Sequence, residues 1–304
     1  MEQLKCRVCG HDDIKSLGPI PDSGVFAGQL VAPSIQGGEL WLCKHCGSMF
    51  RYPTLSSSEY ISLYESASGT VWEKEERNDF SKISDYLRNH AGGAILDIGC
   101  NTGNFLAGLS GKFRKYGIEP SGMASQSAVS NGIKVLGKTL DDLDSKAVFD
   151  VVVAIDVIEH ILDVEIFMSQ LLAHVEKNGL LIISTGNPDC FFWKRIFRSK
   201  FWYSLFAEHL TFPSYKFFKD YSVRNGMRPP ERIRFRYLTL TPLNRLSKIL
   251  HSSALLLPPA LYRAFQRFYR GSKNSNTNII AVNQIGAFTD HHLVIFRNWD
   301  VSRD

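Results

Sequence analysis

The sequence has little of what would place it in a membrane or outside the cell. It contains no run of the roughly 18 apolar residues that a membrane-spanning helix needs. Its first residues, MEQLKCRVCGHDD, lack the apolar segment of a secretory leader. Low-complexity tracts and internal repeats are also absent, which argues against a repeat architecture and against long disordered stretches. We therefore expect a folded cytoplasmic protein.

Cysteine is scarce, with 6 residues in 304. Two Cys-x-x-Cys pairs, each followed by glycine, account for most of them: Cys6, Cys9, Cys43 and Cys46. In a reducing compartment such pairs are more typical of metal ligands than of disulfides. Four thiolates complete a tetrahedral zinc site without an open position for catalysis, so we predict a structural Zn²⁺. A redox role for the pairs is the alternative.

Charge is divided unevenly along the chain. The formal net charge is +5, but residues 1–190 carry 16 Lys and Arg against 24 Asp and Glu, giving −8, whereas residues 191–304 carry 19 against 6, giving +13. Basic and aromatic residues alternate in two segments of this second part, 191–206 and 246–270. We favour a helical lid over a cleft, and contact with a diphosphate or with an acidic membrane surface at the inner face is the alternative.

From residue 91 onward, predicted strands and helices alternate. Short apolar runs end in turn residues at AILDIG, KYGIEP, GIKVLG, FDVVVAIDV and LLIISTGNP, and HHLVIFRN adds a last strand. EIFMSQLLAHVEKNG predicts a helix closed by Asn178-Gly179. We predict an α/β fold with a Rossmann-like doubly wound sheet over residues 91–304, including a helical substrate-side insertion at about 189–273. Residues 1–53 are predicted as a zinc-binding subdomain and residues 54–90 as linker helices.

The segment DIGCNTGNF follows the first of these strands and opens a helix. Gly99 and Gly103 let the backbone approach a ligand at the edge of the sheet where open α/β folds bind their ligands. The spacing is G-x-x-x-G, with Asp97 before it, which weakens a dinucleotide interpretation. Glu119 ends the next strand and is suited to accept hydrogen bonds from ribose hydroxyls.

Four ordered motifs resemble those of class I S-adenosylmethionine-dependent methyltransferases. They are ILDIGCNTGNF, GIEPS, the Asp141-Asp142-Leu143 turn and FDVVVAIDVIEHI. The resemblance implies that S-adenosylmethionine is the cofactor. It implies that Asp97, Gly99 and Asp156 face the methionine end, Glu119 the ribose, and Asp142 with Leu143 the adenine. For His160 we favour a structural role.

Methyl transfer to oxygen or carbon requires removal of a proton from the acceptor. Glu208-His209 lies where the substrate cleft should open, and histidine has a suitable intrinsic pKa for a base. The order of features along the chain resembles that of the deoxysugar C-methyltransferases: a zinc module, a methyltransferase domain, Asn187-Pro188 and then Glu-His. That resemblance gives catalytic roles to Glu208 and His209 and a substrate-side role to Asn187. Tyr64 is a further substrate-side candidate, although we favour core packing for it.

These features predict a methyltransferase (EC 2.1.1) that methylates, at oxygen or carbon, a sugar on a nucleotide or lipid-linked carrier in polysaccharide or natural-product biosynthesis. The alternatives are an RNA methyltransferase with an N-terminal zinc module and a methyltransferase of another small molecule. Charges cancel in residues 1–53, which is poor for RNA binding, so we do not expect a nucleic-acid partner.

Overall fold

The structure is a computed structural model. It describes residues 4–65, 77–254, 257, 258, 260, 261 and 286–298. Parts of the predicted linker helices (66–76) and of the predicted insertion (262–273) lie outside these residues. The strands are β1 (Ile14–Pro19), β2 (Ser23–Phe26), β3 (Gln29–Ile35), β4 (Glu39–Cys43), β5 (Met49–Tyr52), β6 (Gly93–Ile98), β7 (Phe113–Ile118), β8 (Lys134–Gly137), β9 (Phe149–Ile155), β10 (Val175–Gly186), β11 (Thr211–Phe212), β12 (Glu231–Phe235) and β13 (His291–Arg297). The helices are α1 (Ser57–Glu65), α2 (Asn78–Leu87), α3 (Asn104–Gly108), α4 (Gly122–Ser130), α5 (Val164–Ala173), α6 (Tyr215–Arg224) and α7 (Pro242–Ser253).

A seven-stranded sheet forms the centre of the fold, in the order β12-β13-β10-β9-β6-β7-β8. The strands from β8 to β10 run parallel, and β13 is antiparallel to both of its neighbours. Strand β9 reads FDVVVAI and is buried at nearly every position, as expected of a central strand covered on both faces. The Rossmann-like doubly wound sheet is thereby confirmed. The carboxyl ends of β6, β7 and β9 meet at one edge.

Helix α5 ends earlier than the sequence predicts. Asn178-Gly179 was the predicted end, but the helix stops at Ala173 and β10 begins at Val175. The reason is a tertiary contact, because the amide of Phe149 donates to the carbonyl of His174, and Val175 pairs with Phe149. Asn178, with a φ of 66°, lies instead within an irregular start of β10, where the register shifts.

A second sheet, β1-β4-β5-β11, is antiparallel throughout and contains chain segments far apart in sequence. β1, β4 and β5 come from the cysteine-containing N-terminal residues, and the long spacer between the cysteine pairs folds as the hairpin β2-β3. The last strand, β11, comes from the predicted helical insertion and pairs Thr211 with Phe50. The insertion also contributes β12 to the main sheet.

The basic aromatic segment 191–206 packs between the two sheets. Its chain forms short helical turns, and the Trp193 and Phe201 rings stack with their centroids 4.9 Å apart. Both are fully buried, in one cluster with Leu40 and Met49 from the N-terminal sheet. Packing therefore explains most of this segment's aromatic residues.

Candidate active site

The loop after β6 has the backbone geometry of a ligand cradle. Gly99 and Gly103 have φ angles of 72° and 78°, in the left-handed region that disfavours other residues. A Cβ at Gly99 would lie 2.8 Å from Cγ2 of Val157, and one at Gly103 would lie 2.7 Å from Cγ1 of Ile133. Both positions thus favour glycine, for the backbone conformation and for the close packing of Val157 and Ile133.

Two buried carboxylates flank this loop. The Asp97 side chain is buried, and its Oδ1 has no hydrogen-bond partner in the part of the chain that the structure describes. Burial raises the pKa of Asp97 well above its ordinary value, and the charge of Glu119 raises it further. The Glu119 carboxylate accepts hydrogen bonds from the amides of Asn101 and Ser121, both at 2.8 Å. A ligand that carries hydroxyl and ammonium groups fits these two acids.

The predicted adenine-side residues lie at the end of β8. The Oδ2 of Asp142 accepts hydrogen bonds from the amides of Lys138 at 2.7 Å and Thr139 at 2.9 Å, and these bonds lower the pKa of Asp142. Leu143 is half-buried against the main apolar core. The turn is therefore fixed by its own backbone contacts.

Asp156, at the end of β9, joins a polar network that the sequence did not reveal. Its Oδ2 accepts a 2.7 Å bond from Arg77, which also pairs with Asp79, and its Oδ1 lies 3.3 Å from the Tyr203 hydroxyl oxygen. Burial raises the pKa of Asp156 to about 6, against the opposing effect of Arg77. The Tyr203 hydroxyl also donates to Glu159. Asp156 is thus linked through Tyr203 to the residues around His209.

His209 is oriented by a backbone carbonyl. Its Nδ1 lies 2.8 Å from the carbonyl oxygen of Tyr203, which can only accept, so the proton is assigned to Nδ1 and the lone pair to Nε2. Burial lowers the pKa of His209 well below its ordinary value, and the neighbouring His160 lowers it further. Among the described residues the Glu208 carboxylate makes no hydrogen bond to His209, so the adjacent acid does not orient the imidazole.

The main chain around His209 is held by Arg51 of β5. Its Nη2 donates to the carbonyls of Ser204 at 2.7 Å and Phe206 at 2.8 Å. The amide of Arg51 also donates to the carbonyl of Leu210. Burial lowers the pKa of Arg51 to about 10, while the charge of Glu208 opposes this shift. The N-terminal sheet therefore fixes the segment that presents His209.

Tyr64 lies beside His160 rather than at an open surface. Its hydroxyl is 2.9 Å from Nδ1 of His160, and Tyr60 donates to the carbonyl of Glu208 at 2.6 Å. Asn187 is buried at the end of β10, where its Oδ1 accepts a 2.5 Å bond from Arg232. Both predicted substrate-side residues are engaged in contacts that position neighbouring segments.

The four paired cysteines converge as predicted. Their sulfur atoms lie within 4.8 Å of one another, with Cys6 and Cys46 3.9 Å apart and Cys9 and Cys43 3.7 Å apart. Tetrahedral zinc with four thiolates requires sulfur separations of about 3.8 Å. All four cysteines are free of disulfides. The donor set and spacing fit a closed zinc site.

The cradle at the end of β6, the acids beside it and the strand order define a class I S-adenosylmethionine-dependent methyltransferase. In agreement, a sequence profile described as a methyltransferase domain matches residues 72–228. This is more than half of the chain, and the chain belongs to this methyltransferase-domain family. Its methyl donor is S-adenosylmethionine.

Curated relatives share the central part of the chain. A protein of Rickettsia conorii named ubiquinone biosynthesis O-methyltransferase is 32% identical over 140 residues, covering 43% of this chain and 47% of the relative. One of Bradyrhizobium diazoefficiens with the same name is 32% identical over 107 residues, covering 33% of this chain and 41% of the relative. The chain thus spans less than half the length of these relatives.

Among solved structures, coclaurine N-methyltransferase is similar with a TM-score of 0.46 and 13% identity, covering 80% of this chain and 82% of that one. The N-methyltransferase NodS from Bradyrhizobium japonicum also has a TM-score of 0.46, with 11% identity, covering 80% of this chain and 98% of that one.

The curated relatives correct the predicted substrate. They are named for O-methylation in ubiquinone biosynthesis, so the prediction of sugar methylation in polysaccharide or natural-product pathways is wrong. The alternative of an RNA methyltransferase is not favoured by them either. The closer resemblance to deoxysugar C-methyltransferases is not confirmed. No described helix is both long and apolar enough to cross a membrane.

Proposed function

We propose that this chain transfers a methyl group from S-adenosylmethionine to a hydroxyl group on the ring of a quinone-type small molecule. The observation that carries the proposal is the contact of His209 Nδ1 with the carbonyl of Tyr203, which assigns the lone pair to Nε2. The hydroxyl of the same Tyr203 lies 3.3 Å from Asp156. A hydroxyl acceptor must lose its proton for transfer, and Nε2 of His209 is suited to activate it. The names of the curated relatives support the class of acceptor.

The residues that we propose to bind the cofactor are Asp97, Gly99, Gly103, Glu119, Asp142, Leu143 and Asp156. Support comes from the partnerless Oδ1 of Asp97, which suits a cationic group, and from the cradle at Gly99. Glu119 already accepts two amide hydrogen bonds, so its carboxylate is held ready for ribose hydroxyls. When bound, the cofactor supplies the methyl group.

On the acceptor side, we assign positioning roles to Glu208, Tyr64 and Asn187. The carbonyl of Glu208 contacts Nδ1 of His160 at 2.9 Å, and its buried carboxylate faces the charge of Arg51. Tyr64 contacts the same nitrogen of His160. These residues shape the wall of the site, whereas His209 acts on the acceptor.

We further propose that the four-cysteine cluster binds one structural Zn²⁺ that stabilises the N-terminal sheet. Metal analysis of freshly reduced protein should find at least one zinc per chain. The double variant Cys9→Ser/Cys43→Ser should lose one zinc, and equal zinc contents in variant and unmodified protein would exclude this assignment.

We also propose that α7 rests on an anionic membrane surface. Leu243, Leu246 and Leu250 recur on one face of α7 and are 80%, 55% and 63% exposed. The net charge of +13 over residues 191–304 complements acidic lipid. Leu246→Gln/Leu250→Gln should reduce co-sedimentation with vesicles that contain phosphatidylglycerol several-fold. Equal sedimentation would argue against this surface.

The catalytic proposal is tested by assaying methyl transfer to catechol-type and hydroxyquinone acceptors. His209→Gln should lower kcat at least about 100-fold, the range expected for loss of a group that handles the acceptor's proton. The Kd of S-adenosylhomocysteine should stay within twofold. The matched control is His174→Gln, since His174 is also buried and bonds a carbonyl through Nδ1. Unchanged kcat in His209→Gln, or transfer to amines but to no hydroxyl, would overturn the proposal.

A further inference from the structure

We propose that Tyr203 is a positioning residue for methyl transfer, and that the missing side chain of Gly186 seats its ring on the main sheet. Gly186 is the last residue of β10, at the sheet edge where β6 and β9 also end. Tyr203 lies in the segment 191–206 and contacts His209 further along the chain. The inference rests on the proposed function, since His209 is the base in that proposal.

The ring of Tyr203 occupies the space that a side chain at position 186 would need. A Cβ on Gly186 would lie 2.3 Å from Cε1 and 2.4 Å from Cδ1 of that ring. Carbon atoms that are not bonded to each other pack at about 3.5–4.0 Å. The φ angle of Gly186 lies outside the left-handed region, so the backbone conformation does not require glycine here. The contact with Tyr203 therefore explains the glycine.

The ring of Tyr203 has little freedom to move away from Gly186. Its centroid lies 5.1 Å from that of Trp202, 5.7 Å from that of Trp193 and 6.1 Å from that of Phe212. All of these side chains are buried. Because protein interiors are close-packed, a group added at position 186 would displace the ring together with the main chain of its own turn.

Tyr203 contacts His209 through both its main chain and its ring. The carbonyl oxygen of Tyr203 lies 2.8 Å from Nδ1 of His209, which fixes the direction of the imidazole. The two ring centroids are 4.3 Å apart, with an angle of 51° between the planes, which limits the tilt of the imidazole about that bond. A shift of Tyr203 therefore moves Nε2 of His209, the atom that we propose to activate the acceptor.

The segment that contains His209 thus has two separate supports. Arg51 attaches it to the N-terminal sheet through the carbonyls of Ser204 and Phe206. The contact at Gly186 sets its position against the main sheet, whose strands carry the residues that we propose to bind the cofactor. The distance between the base and the methyl donor depends on this second support. A displacement of about 1 Å can lower the rate of a reaction about 100-fold.

Gly186→Ala tests the seat, because the added methyl group has to displace the Tyr203 ring. We expect kcat to fall at least about 10-fold, while the Kd of S-adenosylhomocysteine stays within twofold. The matched control is Gly111→Ala, since a Cβ at that position has no atom within 4 Å, and kcat should stay within twofold. An equal kcat in the Gly186→Ala and Gly111→Ala variants would overturn the inference.

Two variants of Tyr203 decide whether the ring is responsible, including the case in which Gly186→Ala does not fold. Tyr203→Phe keeps the ring and should retain kcat within about threefold, whereas Tyr203→Ala should lower kcat at least about 10-fold. Adding Gly186→Ala to Tyr203→Ala should cause no further loss, because residues that act through one contact are not additive. Equal losses in Tyr203→Phe and Tyr203→Ala, or a further loss in the double variant, would overturn the role of the ring.

The imidazole signals of His209 in ¹⁵N NMR give a readout that does not depend on turnover. In the unmodified chain we expect a neutral ring protonated at Nδ1, and protonation at Nε2 alone would overturn the placement by the Tyr203 carbonyl. Gly186→Ala should shift these signals and Gly111→Ala should not. Shifted signals without any transfer to a hydroxyl by the unmodified chain would refute the proposed function alone. Transfer by the unmodified chain, with unshifted His209 signals in Gly186→Ala, would refute this inference alone.

Discussion

The proposed cofactor side and the proposed acceptor side of this site are built in different ways. On the proposed cofactor side, Asp97 near the end of β6 is followed closely along the chain by Gly99 and Gly103, and main-chain φ angles and amides fix the loop. On the acceptor side, Arg51 reaches the carbonyl of Ser204, 153 residues further along the chain. The first is a local feature of the sequence, and the second exists only after the N-terminal sheet has paired with β11.

The N-terminal sheet acts on one of these two sides only. It does not touch the cofactor loop by any described hydrogen bond, but it fixes the segment that contains His209. Changes on the two sides should therefore have separable effects on cofactor binding and on turnover.

The largest effect is expected on the cofactor side, from Glu119→Ala. We propose that the Glu119 carboxylate binds two ribose hydroxyls, so its loss should remove two charge-assisted hydrogen bonds, each worth about 1.5–3 kcal/mol. The Kd of S-adenosylhomocysteine, measured by isothermal titration calorimetry, should rise at least about 100-fold. Zinc content should not change. Glu176→Ala, at an exposed position, is the control. A rise in this Kd of less than fivefold would contradict a cofactor-binding role for Glu119.

A smaller effect, on turnover and stability, is expected on the acceptor side from Arg51→Met. Methionine fills much of the volume but leaves the carbonyls of Ser204 and Phe206 buried without donors, at about 1–3 kcal/mol each. Urea unfolding should show a loss of about 2–5 kcal/mol, and kcat should fall at least tenfold. The Kd of S-adenosylhomocysteine should stay within twofold. Arg88→Met, at an exposed position, is the control. If the affinity for S-adenosylhomocysteine fell by the same factor as kcat, the effects on the two sides would not be separable.

The smallest effect is a pH-dependent gain in stability from Asp97→Asn. Burial raises the pKa of Asp97, so the folded protein binds its proton more tightly than the unfolded chain does. Ionisation therefore costs stability as the pH rises above the unfolded pKa of about 3.9. Without cofactor, the variant should melt a few degrees higher at pH 7, and the difference should vanish towards pH 4. Affinity for S-adenosylhomocysteine should fall. A lower melting temperature of the variant at pH 7 would contradict the expectation that the buried, ionised Asp97 destabilises the fold.

The features that were predicted correctly from the sequence are those that depend on a local pattern of residues. The buried strands, the glycine loop and the paired cysteines could be identified because each depends on residues that are close along the chain. Arg77, Tyr203 and Arg51 were missed, because their partners are 79, 44 and 153 residues away. The early end of α5 has the same origin, since pairing of Val175 with Phe149 overrides the helical pattern. Substrate identity was the wrong prediction, as it depended on a resemblance beyond the cofactor motifs.

The central claim is that the N-terminal sheet holds the acceptor side independently of the cofactor side. Hydrogen–deuterium exchange of the Cys9→Ser/Cys43→Ser variant tests this most directly. We expect faster exchange over residues 204–212, with unchanged protection over residues 94–105 and an S-adenosylhomocysteine Kd within twofold. Unchanged exchange over residues 204–212, or equal loss of protection in both segments, would contradict it.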